Sequence, residues 1–86
     1  MQVNFVIPEP DDNGGWDFHN FKFLHAFQSK CEADVYIKFI KELIDSEISI
    51  QNTTDINNEN YIVLGCDYQI VGDCDYIRVF VTKSWN

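Results

Sequence analysis

The sequence predicts a single small α+β domain, residues 1–86, in which an antiparallel sheet carries one amphipathic helix packed on one face, in the order β-β-α-β-β-β. Three observations predict it. Strand-period runs lie near both ends of the chain, one central stretch follows the helical period, and clusters of turn-forming residues separate them. A chain of 86 residues has room for one hydrophobic core, yet exceeds the roughly 40 below which disulfides or metals usually become necessary. With 45% hydrophobic and 15% aromatic residues it offers more to bury than disordered segments do.

Gln2 to Ile7 alternate, with Val3, Phe5 and Ile7 on one side of a pleat and Gln2 and Asn4 on the other, which reads as a first strand. Pro8-Glu9-Pro10 resists a ladder and Asp11-Asp12-Asn13-Gly14-Gly15 is dense turn chemistry, so a polar loop is expected next. Between Trp16 and Phe27 the aromatic phase changes: Trp16 and Phe18 hold one parity, and Phe21, Phe23 and Phe27 the other. That suits a strand with a bulge near His19-Asn20, paired with the first as a hairpin, although Phe18, Phe21 and Leu24 also fit a short helix.

Ser29-Lys30-Cys31-Glu32 has the form of a capping box and predicts a helix from Lys30 to Ser46. Tyr36, Ile40, Leu43, Ile44 and Glu47 fall at helical spacing, and Val35, Ile37 and Phe39 widen the apolar face. On that reading Ser29→Ala costs about 1 kcal/mol. Ile48 and Ile50 then mark a short strand, and Asn52 to Asn60 a solvated loop. Tyr61 to Val71 and Tyr76 to Lys83 are β-rich runs around Gly72-Asp73, which suits a two-residue type II′ turn.

That turn sets a register. Val71 faces Cys74, Gln69 faces Tyr76, Asp67 faces Arg78, Gly65 faces Phe80 and Val63 faces Thr82, so an opposite-charge pair and a ring laid over a glycine fall on one side. The other side carries Ile62, Leu64, Cys66, Tyr68 and Ile70 beside Ile77, Val79 and Val81. With a single helix, Tyr61, Val63, Tyr76 and Phe80 are left as a half-exposed aromatic surface unless the first hairpin folds over it.

The charge excludes several functions. Fourteen Asp and Glu against six Lys and Arg give a net charge of -8, without the basic footprint that nonspecific DNA or RNA binding needs, so no direct contact with nucleic acid is expected. No apolar run approaches the ~20 residues of a spanning helix, anionic membranes repel the chain, and neither a basic leader nor a signal-peptide core opens it. A cytoplasmic protein is expected. Cys31, Cys66 and Cys74 are odd in number and lack C-x-x-C spacing, which favours reduced thiols. Together with His19 and His25 they form no zinc-site spacing and read as buried small side chains and ordinary imidazoles, with no metal or other cofactor implied.

Catalytic motifs are missing as well. The chain has no G-x-S-x-G, H-E-x-x-H or phosphate-cradling glycine pattern. Cys31 with His25 or His19 is formally a thiol dyad, and Cys31 falls in the first turn of the predicted helix, but no orienting group or oxyanion hole accompanies it. No enzyme is expected. An EF-hand starting at Asp11 fails too, since its fifth and twelfth positions hold Gly15 and Lys22. Only a nonspecific cation site shared by Asp11, Asp12 and the carboxylates of the last hairpin remains.

What stands out is where the acid lies. Glu9, Asp11, Asp12 and Asp17 crowd the first loop around Trp16, and Asp73 and Asp75, with Asp67 nearby, crowd the last turn beside Tyr76. Carboxylates around an aromatic anchor suit docking on a basic protein surface. The expected function is therefore a small acidic inhibitor, monomeric or homodimeric, that occludes the basic surface of a nuclease or related nucleic-acid-binding effector. Its partner-binding residues are Glu9, Asp11, Asp12, Trp16, Asp17, Asp73, Asp75 and Tyr76. Toxin-immunity proteins, phage anti-restriction and anti-CRISPR proteins and DNA mimics share this size and charge, but no motif of theirs is matched residue by residue. The rivals are a homo-oligomerising scaffold module and, behind it, a thiol or metal enzyme built on Cys31 and a histidine.

Overall fold

The computed structural model describes residues 1–51 and 58–83. Five strands and one helix follow one another as β1 (Gln2–Pro10), β2 (Trp16–Gln28), α1 (Ala33–Glu42), β3 (Glu47–Gln51), β4 (Asn58–Val71) and β5 (Cys74–Lys83). The α+β class and the β-β-α-β-β-β order are as the sequence predicts. The strands form one sheet in the order β2-β1-β5-β4-β3. Three of the pairings are antiparallel, but β1 runs parallel to β5, with Val3 beside Ile77 and Phe5 beside Val79. The sheet is therefore mixed rather than wholly antiparallel. The last strand inserts at the centre because Tyr76 to Val81 is an almost unbroken apolar run, which suits a strand covered on both faces.

β1 continues through Pro8 and Pro10, which the sequence suggested would lie in a loop. Its pairing with β5 ends at Val6, and beyond that point only β2 flanks it. A proline without an N–H is tolerated where one side of the strand has no ladder. Along β2 the expected bulge is present: Phe21 pairs with Pro8 and Asp17 with Glu9, leaving Phe18, His19 and Asn20 as extra residues. A second shift sets Leu24 aside, since His25 pairs with Phe5 and Phe23 with Val6. The two shifts sort the aromatics by face. Phe27 stacks on Phe5 in the core, while Phe18 and Phe21 meet Phe80 on the opposite side.

The helix is shorter than expected, and the capping box does not form. Ser29 closes the first hairpin, exchanging backbone hydrogen bonds with Met1, and its hydroxyl accepts from the Cys31 N–H at 3.1 Å. Glu32 occupies the N-cap without a side-chain hydrogen bond. Ser29→Ala therefore removes one exposed turn contact and no helix cap. At the other end Asp45 adopts φ 68° and, with Ser46, pairs to the backbone of Val63, drawing the chain into β3 before Ser46 can join the helix. Ala33, Tyr36, Ile37, Ile40 and Leu43, at the i, i+3, i+4, i+7 spacing, face the sheet; Val35 and Phe39 stay exposed and do not widen that face.

The β4–β5 hairpin keeps its predicted register from Val71–Cys74 to Gly65–Phe80. Gly72 takes φ 62° and Asp73 does not share a positive φ, the sign pattern of a type II′ turn. Past Gly65 a bulge at Leu64 shifts the pairing, so Val63 faces Val81 and Ile62 faces Thr82. This inverts the expected faces at that end. Tyr61 and Val63 turn into the helix-covered core with Val3, Phe5, Ile77, Val79 and Val81, while Ile62 joins the other side. A Cβ on Gly65 would touch nothing within 4 Å, so the Phe80 ring does not lie over it but packs on Phe18 and Phe21. Residues 52–57 of the expected polar loop lie outside the described residues, and Asn58, Glu59 and Asn60 pair with β3 as strand.

Candidate protein-binding surface

The first acidic loop is shaped by its own carboxylates. Asp11 accepts through one oxygen from the Asn13 N–H at 2.9 Å and the Gly15 N–H at 2.7 Å, while its own N–H donates to the Gly15 carbonyl at 3.0 Å. Gly14 at φ 82° permits this path, and a Cβ on Gly15 would lie 3.0 Å from the second Asp11 oxygen. Asp17 braces the bulge in the same manner, accepting from the His19 N–H at 2.9 Å and the Asn20 amide at 2.7 Å. The Asn20 contact, then the His19 N–H, holds the Asp17 carboxyl below its ordinary range. Glu9 and Asp12 are exposed, and Trp16, half-buried, pairs with Pro10.

At the last turn Asp73 is exposed, and Asp75 accepts from the Tyr68 hydroxyl, which raises the Tyr68 pKa. Tyr76 is half-buried between Gln69 and Gln2 in the ladder. The structure separates these residues from the first loop. Because β1 and β5 are parallel, the turn before β5 sits level with the start of β1, whereas the Asp11 loop follows its end. Pro10 lies eight residue steps along β1 from Gln2, which stands beside Tyr76, or about 26 Å at strand rise. A cation site shared between the two acidic loops is thereby ruled out. Among the described residues no group of three His, Cys, Asp or Glu side chains is placed to hold a metal ion.

Neither acidic cluster is neutralised internally. The ion pairs among the described residues are Arg78–Asp67 and Lys83–Glu59, and neither involves Glu9, Asp11, Asp12, Asp17, Asp73 or Asp75. Glu9 and Asp17 instead stand opposite each other in the β1–β2 ladder.

The sequence reading missed the surface beside this loop. On the face away from the helix, Phe18 is 40% exposed, Phe21 39% and Phe23 64%, while Phe80 beneath them is buried. The first hairpin thus covers Phe80 and exposes its own rings. Phe18 meets Phe80 at 4.6 Å between centroids, and the Arg78 guanidinium lies 5.3 Å from the centroids of both Phe21 and Phe80. Asp67 fixes that guanidinium through its Nε, at 2.9 Å, and its Nη2. The signal was present in Phe21-Lys22-Phe23, whose alternation places both rings on one face, but the bulge that brings Phe18 alongside them is a property of the folded hairpin.

The thiols also differ from expectation. Cys31 and Cys74 are exposed rather than buried, and only Cys66 is sheltered, with burial pushing its thiol up. Cys31 precedes the helix, which begins at Ala33 with Glu32 as its N-cap, rather than lying in its first turn. All three are free. No helix of the described residues is long and apolar enough to cross a membrane.

Compared with protein-family models, curated proteins and solved structures, the chain has no significant match.

Proposed function

We propose that the chain is a small acidic inhibitor whose first hairpin loop docks on the basic surface of a nuclease-type effector and keeps nucleic acid away from it. The observation that carries this reading is the Glu9–Asp17 pairing, two carboxylates opposite each other in a ladder with no ion pair to either. Like charges placed directly opposite weaken a sheet. A cationic partner relieves that repulsion on binding, so the interaction is stronger in the complex than in the free chain. Trp16, half-buried at the base of the loop, offers an aromatic anchor among the carboxylates.

The separation of the clusters refines the docking geometry. A standard interface takes about 800 Å² from each partner, roughly 30 Å across if circular. A partner touching Asp73 and Asp75 as well as Asp12 would have to cover the length of the sheet. The Glu9 to Asp17 loop is therefore the primary contact, and Asp73, Asp75 and Tyr76 form a secondary one. Inhibition is steric, and the charge contributes mainly to the rate of encounter and its salt dependence.

Capture from the native host, read by mass spectrometry, followed by titration of the captured effector with its nucleic acid and with this chain, tests the reading. Competition between chain and nucleic acid is expected. Glu9→Lys with Asp12→Lys, which removes no hydrogen bond of the loop, weakens binding and flattens its salt dependence. Unchanged affinity of that variant in both low and high salt removes the proposal. The long edge strand β2 with its exposed rings favours a second reading, a homo-oligomer joined through that strand. Sedimentation of the purified chain separates them: a stable dimer supports the second reading and a monomer the first.

A further inference from the structure

We infer that β3 is a self-association edge: two copies of this chain join their sheets by pairing β3 with β3 antiparallel, centred on Ser49. The inference is separate from the docking of the first hairpin loop, since β3 carries none of the residues proposed for it. β3 pairs with β4 on one side, and among the described residues no strand pairs with the other. The Val63 N–H donates to the Ser46 carbonyl at 3.1 Å, in the same register that sets Ile48 opposite Tyr61 and Ile50 opposite Glu59. Bonding direction alternates along a strand, so Ser46, Ile48 and Ile50 address β4, and the N–H and C=O groups of Glu47, Ser49 and Gln51 point outward. A cavity of about 250 Å³ lies against that outer edge, with Ile48, Ser49, Ile50 and Gln51 lining it in succession. Consecutive residues whose side chains alternate in direction share a cavity along the edge of a strand rather than on its face. Phe5, His25 and Phe27 form the other wall.

The order Glu47-Ile48-Ser49-Ile50-Gln51 is complementary to its own reverse. About Ser49, antiparallel pairing sets Glu47 opposite Gln51, Ile48 opposite Ile50 and Ser49 opposite itself, so the outward groups of all three polar residues meet partners. No like charges face each other. Ile48 and Ile50 lie on the core face with Phe5 and Phe27, and the second copy's isoleucines extend that row over the cavity. Roughly 150 Å³ of apolar space holds a benzene, so an aliphatic side chain has room there. β2, the other edge of the sheet, is interrupted by two register shifts, whereas β3 has none, and no lysine or proline blunts it. Another protein's strand meets the same backbone groups, but without this matched order.

An edge of 5 residues gives an interface below the roughly 1,200 Å² of stable complexes. Reversible dimerisation is therefore expected, with a dissociation constant on the order of 100 µM, rather than a stable dimer. Sedimentation of the purified full chain from about 10 µM to about 1 mM, with the His25 imidazole followed by NMR over the same range, tests the inference. The sedimentation coefficient should rise with concentration, and the His25 signals should shift with it. Gln51→Lys, facing Glu47 of the second copy, should tighten the dimer about fivefold through its two symmetric pairs, and Gln51→Glu should weaken it by a similar factor. Gln28→Lys, the same charge change on β2, should leave it unchanged. Ser49→Pro removes an outward N–H while sparing the ladder with β4, and should abolish association. A monomer at every concentration overturns the inference and leaves the docking of the first loop standing; loss of effector binding by Ser49→Pro would then assign the edge to that partner. A dimer that survives Ser49→Pro, or responds alike to both charges at Gln51, overturns the β3 joint.

Discussion

Glu9 and Asp17 face each other across the β1–β2 ladder, two carboxylates at a position where paired strands usually place opposite charges or apolar partners. Asp17 nevertheless ionises readily, because the Asn20 amide and the His19 N–H hold its charged form. Glu9→Gln should therefore stabilise the free chain, raising the urea midpoint more at low salt than at high salt, while weakening its hold on a basic partner. An equal midpoint at low salt would remove the repulsion argument. The sign for Asp17 follows from its lowered pKa: its contribution is present above the unfolded value of 3.8 and is lost as pH falls through the folded one. Asn20→Ala should move the carboxyl titration of Asp17, followed by NMR, back upward.

The Arg78–Asp67 pair underlies the aromatic face. Asp67→Asn leaves the guanidinium with a neutral acceptor, and should cost about 1 kcal/mol in the urea midpoint, since Asp67 is partly exposed and screened. In a double-mutant cycle with Phe21→Leu the two losses should not add, because the ring and the carboxylate hold the same group. Simple additivity would mean that the guanidinium does not couple them.

Alkaline pH should unfold the domain through its tyrosines. Burial first, then the negative thiols of Cys31 and Cys66 when ionised, pushes Tyr36 up to about 12; burial and the hydrogen bond to Glu59 push Tyr61 up to about 12. Below pH 10 the hydroxyls are protonated in both states. Between about 10 and about 12 the unfolded chain ionises while the folded one resists, so stability falls as pH rises through that window. Each tyrosine contributes at most about 1.4 kcal/mol per pH unit. Tyr36→Phe should flatten the decline of the urea midpoint, and an identical decline in the variant would contradict the assignment.

Thiol chemistry should report the same packing. Cys31 and Cys74 are exposed and Cys66 is sheltered against α1, its sulfur 3.9 Å from the Ile37 carbonyl oxygen. A disulfide reagent should modify two thiols rapidly in the native chain and the third only as it unfolds. Three equally fast thiols would show that the helix does not cover Cys66.

Several of these relationships are readable without coordinates. The Gly72-Asp73 turn announces itself, and from it the pairing of Asp67 with Arg78 follows by counting, because a two-residue loop leaves no slack in the register. The helix shows in the spacing of Tyr36, Ile37, Ile40 and Leu43. Its ends do not: Ser29 and Ser46 are claimed by Met1 and Val63, distant residues whose hydrogen bonds outcompete local helix formation. The acidic loop was visible as composition, but that Asp11 and Asp17 support the backbone while Glu9 and Asp12 do not depends on the turn and bulge that form around them.

By itself, then, the amino-acid order determined what short-range chemistry governs: strand and helix periods, the positions of both tight turns, the register near Gly72, and an acidic excess concentrated in loops. Tertiary structure decided what depends on closure over long distances. The parallel union of β1 with β5 joins opposite ends of the chain, and it is this pairing that puts the two acidic loops at opposite ends of the sheet. The extra residues at Leu24 and Leu64 exchange faces beyond them, sending Phe27, Tyr61 and Val63 into the core and leaving Phe18, Phe21 and Phe23 outside. A bulge has little local signature because its position is settled by which face must be buried once all the strands are assembled.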